Sequence, residues 1–281
     1  MGVKFSIVTI NYNNRKGLEQ TIESVINQKY DNFEFIIIDG GSNDGSAELL
    51  NKYERYISYA VSEKDDGIYN AMNKGIRAAI GEYIVFMNSG DQFYDEFVLL
   101  KYQENICDNY QIYYGNAIGV NEDNGLKDIF YPNELNLSQW LYDTINHQAS
   151  AIKRSLFLTY GFYNEQSKIT ADWQFFTKMY LLHQVQFKYI SSFLAKIDLN
   201  GISSDPSFSI LQQQERDNFI QLELPQFWKE YLFMRQVRFY KYMTKRERKI
   251  YRIKQNRMTS RVFKIWIDFL TLFTRDEIKH V

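Results

Sequence analysis

FSIVTINYNN, at residues 5–14, is apolar or β-branched at almost every position as far as Ile10 and then turns wholly polar. A run of this kind, without strict alternation, is the pattern of a strand covered on both faces. FIIIDGGSNDG at 35–45 and YIVFMNSGD at 83–91 repeat it, each apolar run ending in acids and amides. Between the first two runs Leu18, Ile22, Val25 and Ile26 recur at spacings of three and four, one face of an amphipathic helix. Strand, helix, strand predicts βαβ units around a mostly parallel sheet, hence an α/β fold.

Working outward, Asp44-Gly-Ser46 offers an N-cap for a helix through Leu49, Leu50 and Tyr53, and Ile68 to Ile80 reads as another. Asp95 to Cys107 and Ala171 to Leu182 are further helices, and Val185 to Ile197 reads as one or two strands. From Gln111 to Tyr131 the pattern alternates around GVNEDNG, which predicts an antiparallel hairpin added to the sheet. Pro206, in the polar stretch GISSDPS, marks the expected boundary between a sheet domain at 1–204 and a helical extension at 205–281.

The 281 residues, 45% hydrophobic and 17% aromatic, suffice for a sizeable core and exclude a disordered or collagen-like chain. One cysteine, Cys107, cannot form an internal disulfide or a thiolate metal cage, which suits a reducing compartment. The first apolar run is too short for a signal peptide, and Val262 to Phe273, interrupted by Lys264 and Asp268, is too short to span a bilayer. These features predict a soluble, cytoplasmic protein. The net charge of −1 conceals an asymmetry: residues 226–264 carry +11 and the remainder −12.

In an open parallel sheet, ligands bind at the carboxyl ends of the strands. Those ends hold Thr9, Asn11 and Tyr12, then Asp39, then Asn88, Ser89, Gly90 and Asp91. DGGSNDG reads equally as a tight turn with a helix cap. Neither GxGxxG nor GxxxxGK[ST] occurs, so a phosphate ligand needs a cation in place of the usual backbone cradle. Asn88 and Asp91 are hard oxygen donors of the kind that suit Mg²⁺ or Mn²⁺, completed by a substrate diphosphate.

SIVTINYN, DGGSNDGS, SEKDDGIYNAMNKGI and GEYIVFMNSGD, followed by NHQASAIKRSLF and ITADWQFF, resemble in order and spacing the signature of family 2 glycosyltransferases of GT-A fold. The similarity spans about residues 3–182 and points to a bacterial branch that builds capsule, exopolysaccharide or protein-linked glycans. It implies a mixed sheet flanked by helices, and an inverting transfer from a nucleoside-diphosphate sugar, a UDP-hexose or UDP-N-acetylhexosamine, to a hydroxyl of a glycan, glycopeptide or lipid-linked acceptor. Residue by residue, it implies that Thr9, Asn11, Tyr12 and Asp39 hold the nucleotide, with Asp39 accepting from the base imide. It adds Asp66, Asn70 and Lys74 around nucleotide and sugar, and Asn88 and Ser89 beside the donor. Asp91 matches the metal ligand, for Mn²⁺ or Mg²⁺, and His147 a position near metal or diphosphate. Asp172 matches the catalytic base, although as a residue it also reads as the cap of the helix that follows. Gly90 departs from the commoner NSDD form and removes one carboxylate from the metal motif.

The basic tail mixes Lys and Arg with aromatics. It suits packing or homo-oligomerisation through helices, or peripheral contact with an anionic membrane at the inner face of the cell. No nucleic-acid-binding motif accompanies it. Two other functions compete with transfer: a sugar-1-phosphate nucleotidyltransferase, and a catalytically weak sugar-nucleotide-binding partner of another glycosyltransferase. The first usually carries a Gly-rich basic loop where this chain has NYNNRKG; Gly90 is the best argument for the second.

Overall fold

The computed structural model describes residues 2–121, 123, 125–201 and 205–242. In chain order the elements are β1 (Phe5–Asn11), α1 (Arg15–Ile26), β2 (Phe33–Asp39), α2 (Ser46–Lys52), β3 (Tyr59–Ser62), α3 (Ile68–Ala78), β4 (Tyr83–Phe86), β5 (Gln92–Phe93) and α4 (Val98–Asn105). They continue with β6 (Ile112–Val120), β7 (Leu126–Ile129), α5 (Leu137–Tyr142), β8 (Ser150–Lys153), α6 (Arg154–Tyr160), α7 (Ala171–Leu181), β9 (Phe187–Asp198), α8 (Ser209–Glu223) and α9 (Trp228–Tyr242).

Among the described residues the strands form one mixed sheet in the order β3-β2-β1-β4-β8-β6-β9-β5, with β7 paired to β6. β3, β2, β1 and β4 are parallel, as the βαβ pattern predicts. β4 and β6 each pair antiparallel with β8, β5 pairs antiparallel with β9, and β6 runs parallel to β9. The predicted hairpin is β6–β7, closing with Val120 opposite Leu126.

Strict period-two geometry divides the buried strands between two cores. Phe5, Ile7, Phe35, Ile37, Tyr83 and Val85 pack under α1, α2 and α4 with Leu18, Ile22, Leu49 and Leu99. Val8, Ile10, Ile36, Ile38, Ile84 and Phe86 pack on the other side under α3, α6 and α7 with Met72, Phe157 and Phe176. Phe157 and Phe175 stack at 4.4 Å within that second core. Helices on both faces leave the carboxyl ends of β1, β2 and β4 as the open rim.

The chain divides into two compact units at Pro225, not at 204. The first unit keeps α8 because Glu215 on that helix accepts hydrogen bonds from the backbone N–H groups of Lys168, Ile169 and Thr170 and from the Thr170 hydroxyl. Phe219 adds an edge-to-face contact with Trp173 on α7, centroids 5.3 Å apart. The second unit begins at Gln226, and its described part includes α9, where Trp228 and Tyr231 stack at 5.6 Å. The part of the expected helical extension from 243 to 281, and with it most of the basic stretch, lies outside the described residues. Among the described residues no helix is long and apolar enough to cross a membrane.

Candidate active site

Register aligns the last residues of three parallel strands, with Asn11 opposite Asp39 and Asp39 opposite Ser62. They are knotted together by Asp39. Its Oδ1 accepts from Asn11 Nδ2 at 2.7 Å and from the Ser42 hydroxyl at 2.6 Å, and its Oδ2 accepts from the Ser42 N–H at 3.0 Å and the Ser62 hydroxyl. Burial by itself would raise this carboxyl; the donors from Ser42, Ser62 and Asn11 outweigh it and hold it below its ordinary range.

Beside β1, beyond β4, Asn88–Asp91 forms a tight turn closed by the Asp91 N–H on the Asn88 carbonyl at 2.9 Å. Gly90, the third residue, has φ +103°, a conformation that favours glycine over any side chain. Thr21 on α1 fastens the turn: its hydroxyl accepts from Gly90 N–H at 3.0 Å and donates to the Asp91 carbonyl at 2.7 Å. Asp91 is 4% exposed, its Oδ1 accepting from the Asp198 N–H at 2.9 Å and its Oδ2 from Gln148 Nε2 at 3.0 Å. Burial pushes its carboxyl up to about 6; those two donors and His147 pull the other way, and the Asp198 charge adds to the rise.

Asp172 stands in the first turn of α7, whose N-cap is Thr170, so the capping reading does not hold. Its Oδ1 accepts from the Tyr69 hydroxyl at 3.0 Å, and its Oδ2 lies 3.0 Å from His147 Nδ1. His147 Nε2 faces Asn88 Nδ2 at 3.2 Å, so in this orientation of the amide the imidazole accepts from Asn88 and donates its Nδ1–H to Asp172. Burial would raise the Asp172 carboxyl, but the His147 bond and charge, the Trp173 N–H and the Tyr69 hydroxyl together lower it. Burial and the Asp172 charge push the Tyr69 hydroxyl well up, so it stays a donor.

Asn11, Tyr12, Asn88, Ser89, Asp91, His147 and Asp172 line one cleft of about 780 Å³. Five other expected residues lie off it. Thr9 is wholly buried and donates to the Met87 carbonyl at 2.7 Å, and Asp39, also without exposed surface, supports the rim from beneath with both oxygens taken. A base imide would reach Asp39 only by displacing one of its four donors. Asn70 turns to Glu165 at 2.8 Å, Asp66 offers its backbone N–H to Asn70, and Lys74 pairs with Glu63 at 2.6 Å and Asp65 at 2.7 Å. The neighbour, Asp65, is the carboxylate in the cleft wall. His147, expected near metal, has both ring nitrogens engaged and orients Asp172.

The model of the family described as Glycosyl transferase family 2 matches residues 6–161. The chain belongs to that family. An uncharacterized glycosyltransferase of Mycobacterium tuberculosis is 32% identical over 202 residues, 71% of this chain and 76% of the relative. The putative teichuronic acid biosynthesis glycosyltransferase TuaG of Bacillus subtilis is 35% identical over 91 residues, 31% of this chain and 36% of TuaG. Among solved structures, S. aureus TarS 1-349 in complex with UDP-GlcNAc is similar at a TM-score of 0.61 and 17% identity, over 82% of this chain and 72% of that one. This chain spans 42% of the longer TarS chain. A mannosyltransferase of Pyrobaculum calidifontis in complex with GDP-Man and Mn²⁺ matches at 0.56 and 11% identity, over 100% of this chain and 89% of that one. The fold is thus the GT-A arrangement of a family 2 glycosyltransferase.

A divalent cation of the kind the family implies fits this rim. Asn88 Oδ1 is buried without a hydrogen-bond partner beside Asp91, and both are hard oxygen donors. Among the described residues no group of three or more His, Cys, Asp or Glu is assembled for a metal. Mg²⁺ and Mn²⁺ sites that serve nucleotides use one or two carboxylates with substrate phosphates, which is what this rim offers. Tyr69, Asp65, Gln148 and Asp198 were not singled out from sequence. Tyr69 and Asp65 lie within SEKDDGIYNAMNKGI, and Asp198, like Asn11 and Asp39, is the last residue of its strand, though β9 is only partly buried.

Proposed function

We propose that this family 2 glycosyltransferase performs an inverting transfer from a UDP-sugar to a glycan hydroxyl, with Asp172 as base and Asp91 holding a divalent cation. The observation that carries this reading is the presence in one cleft of two carboxylates with opposite electrostatic settings, Asp91 buried and Asp172 partly buried. Asp172, held below its ordinary range, is ionised at neutral pH and accepts the proton of the acceptor hydroxyl as that oxygen attacks the anomeric carbon. The bond to the diphosphate breaks on the opposite face. Asp91 would hold Mg²⁺ or Mn²⁺, which would supply positive charge against that developing on the leaving diphosphate.

Tyr12, 69% exposed at the cleft, offers a ring for the base to stack on. The Asp65 carboxylate, fixed by Lys74, lies 3.2 Å from where a Cβ on Gly40 would stand, and it accepts the uracil N3–H. Lys64 and Lys168 also line the cleft and favour an anionic donor. UDP and UDP-GlcNAc occupy the TarS structures, which supports this class of donor. The likeness to TuaG, named for teichuronic acid biosynthesis, supports a glycan acceptor of that general kind.

Thermal-shift measurements with UDP, GDP, CDP and TDP, each with Mn²⁺ or EDTA, test the donor. A ligand that binds the native state at about 100 times its Kd stabilises by about 2.7 kcal/mol. A Mn²⁺-dependent shift selective for UDP, followed by UDP release from UDP-sugars, is the expected result; equal shifts for all four nucleotides would reject UDP.

A further inference from the structure

Gly90 leaves out the carboxylate that NSDD carries, and the place it would take is already filled. A Cβ built on Gly90 stands 3.0 Å from Asp198 Oδ2 and 3.3 Å from Asp198 Cβ. Asp198 comes from the far side of the sheet, at the carboxyl end of β9, and reaches the turn through its own N–H on Asp91 Oδ1 at 2.9 Å. Its two oxygens differ. Oδ1 accepts from the Asn200 N–H at 2.9 Å and from Asn200 Nδ2 at 2.7 Å, whereas Oδ2 is the oxygen beside Gly90. Asp91, Asp198 and Asn88 all line the same cleft.

We infer that Asp198 supplies, through Oδ2, the second carboxylate of the divalent-cation site, replacing in space the acid that Gly90 removes from the sequence motif. Glycine at 90 suits the arrangement, since a Cβ there stands 3.0 Å from the Asp198 carboxylate and strains a backbone at φ +103°. The two carboxylates are held by a backbone N–H of one on a side-chain oxygen of the other, so they keep their spacing without a cation. Two hard anionic oxygens with phosphate oxygens and water form a donor set suited to Mg²⁺ or Mn²⁺.

This inference rests on the proposal that Asp91 binds a cation with the donor, and Asp198→Asn separates the two. The substitution keeps the backbone N–H on Asp91 and an Oδ1 for Asn200, and turns only the Oδ2 position into an amide N–H₂. Mn²⁺ affinity in the presence of UDP is measured by electron paramagnetic resonance of free Mn²⁺, and UDP affinity in EDTA by calorimetry. In Asp198→Asn, Mn²⁺ affinity should fall at least about tenfold while UDP affinity in EDTA and the melting temperature stay near wild type. Asp91→Asn is the comparison. Loss of Mn²⁺ in Asp91→Asn with wild-type affinity in Asp198→Asn overturns the role of Asp198 and leaves the cation proposal standing. No Mn²⁺ binding by the wild-type protein with UDP overturns both. Asp198→Ala, which removes the oxygen without adding a donor, must show the same loss if the ligand is the carboxylate.

Discussion

His147 Nδ1 and Asp172 Oδ2 lie 3.0 Å apart, and the opposite oxygen of the same carboxylate takes the Tyr69 hydroxyl at 3.0 Å. Two donors from different elements thus fix the plane of a partly buried acid that faces the cleft. Asp172→Asn keeps the volume and Oδ1, so donor binding should stay within about twofold, while turnover falls by about 10²–10⁴ with loss of the base. Steady-state rates with calorimetric UDP affinity check this; near-normal turnover would remove Asp172 from the chemistry.

His147→Ala removes the largest influence that lowers the Asp172 carboxyl and leaves burial, which raises it. The base must be ionised to act, so the acidic limb of kcat/KM should move to higher pH in the variant. Activity well above that limb should fall less than in Asp172→Asn. A pH–rate profile decides, and an unmoved acidic limb would show that His147 does not set the Asp172 titration.

Much of this site was legible because the apolar runs of β1, β2 and β4 end where polar residues begin, and strand ends gather at one rim. The inward or outward sense of single residues was not. All seven residues of β1 are buried, so alternation carries no signal and Thr9, which turns to Met87 beneath the rim, could not be told from Asn11. A helix entry hides a similar ambiguity: Asp65 faces the cleft and Asp66 does not, one residue apart. β8 and β5, at four and two residues, are too short for any period to register. The boundary falls later than Pro206 because that proline only opens a single short turn capped by Asp205, whereas the contacts that bind α8 to the start of α7, led by Glu215, join residues 45–47 apart in sequence.

Glu215 gathers three backbone N–H groups and the Thr170 hydroxyl ahead of α7, the segment that carries Asp172 and presents Lys168 and Ile169 to the cleft. Glu215→Ala leaves those donors without their acceptor and should destabilise the protein by about 1–3 kcal/mol. Glu215→Gln keeps one oxygen and should recover part of that loss. Chemical denaturation with kcat as a second readout checks both, and an unchanged midpoint in Glu215→Ala would show that α8 is not a strut for the catalytic helix.

Asp91 titrates in the opposite sense from Asp172 and Asp39. Its carboxyl is raised from an ordinary value of about 3.9 to about 6, so the folded state binds its proton more tightly than the unfolded chain does. The stability this contributes is full below about pH 4 and is lost as pH rises through about 6. Asp91→Asn has no proton to lose, keeps an acceptor for the Asp198 N–H, and can receive a rotated Gln148 amide. In EDTA the variant should therefore gain stability relative to wild type as pH rises from 4 to 7, by up to about 3 kcal/mol. Adding Mn²⁺ and UDP should reverse the order at pH 7, because the ionised wild-type carboxylate then has its cation. Melting temperatures across this range, with and without ligand, test both halves, and a difference that does not change with pH would mean that the buried carboxyl keeps its ordinary titration.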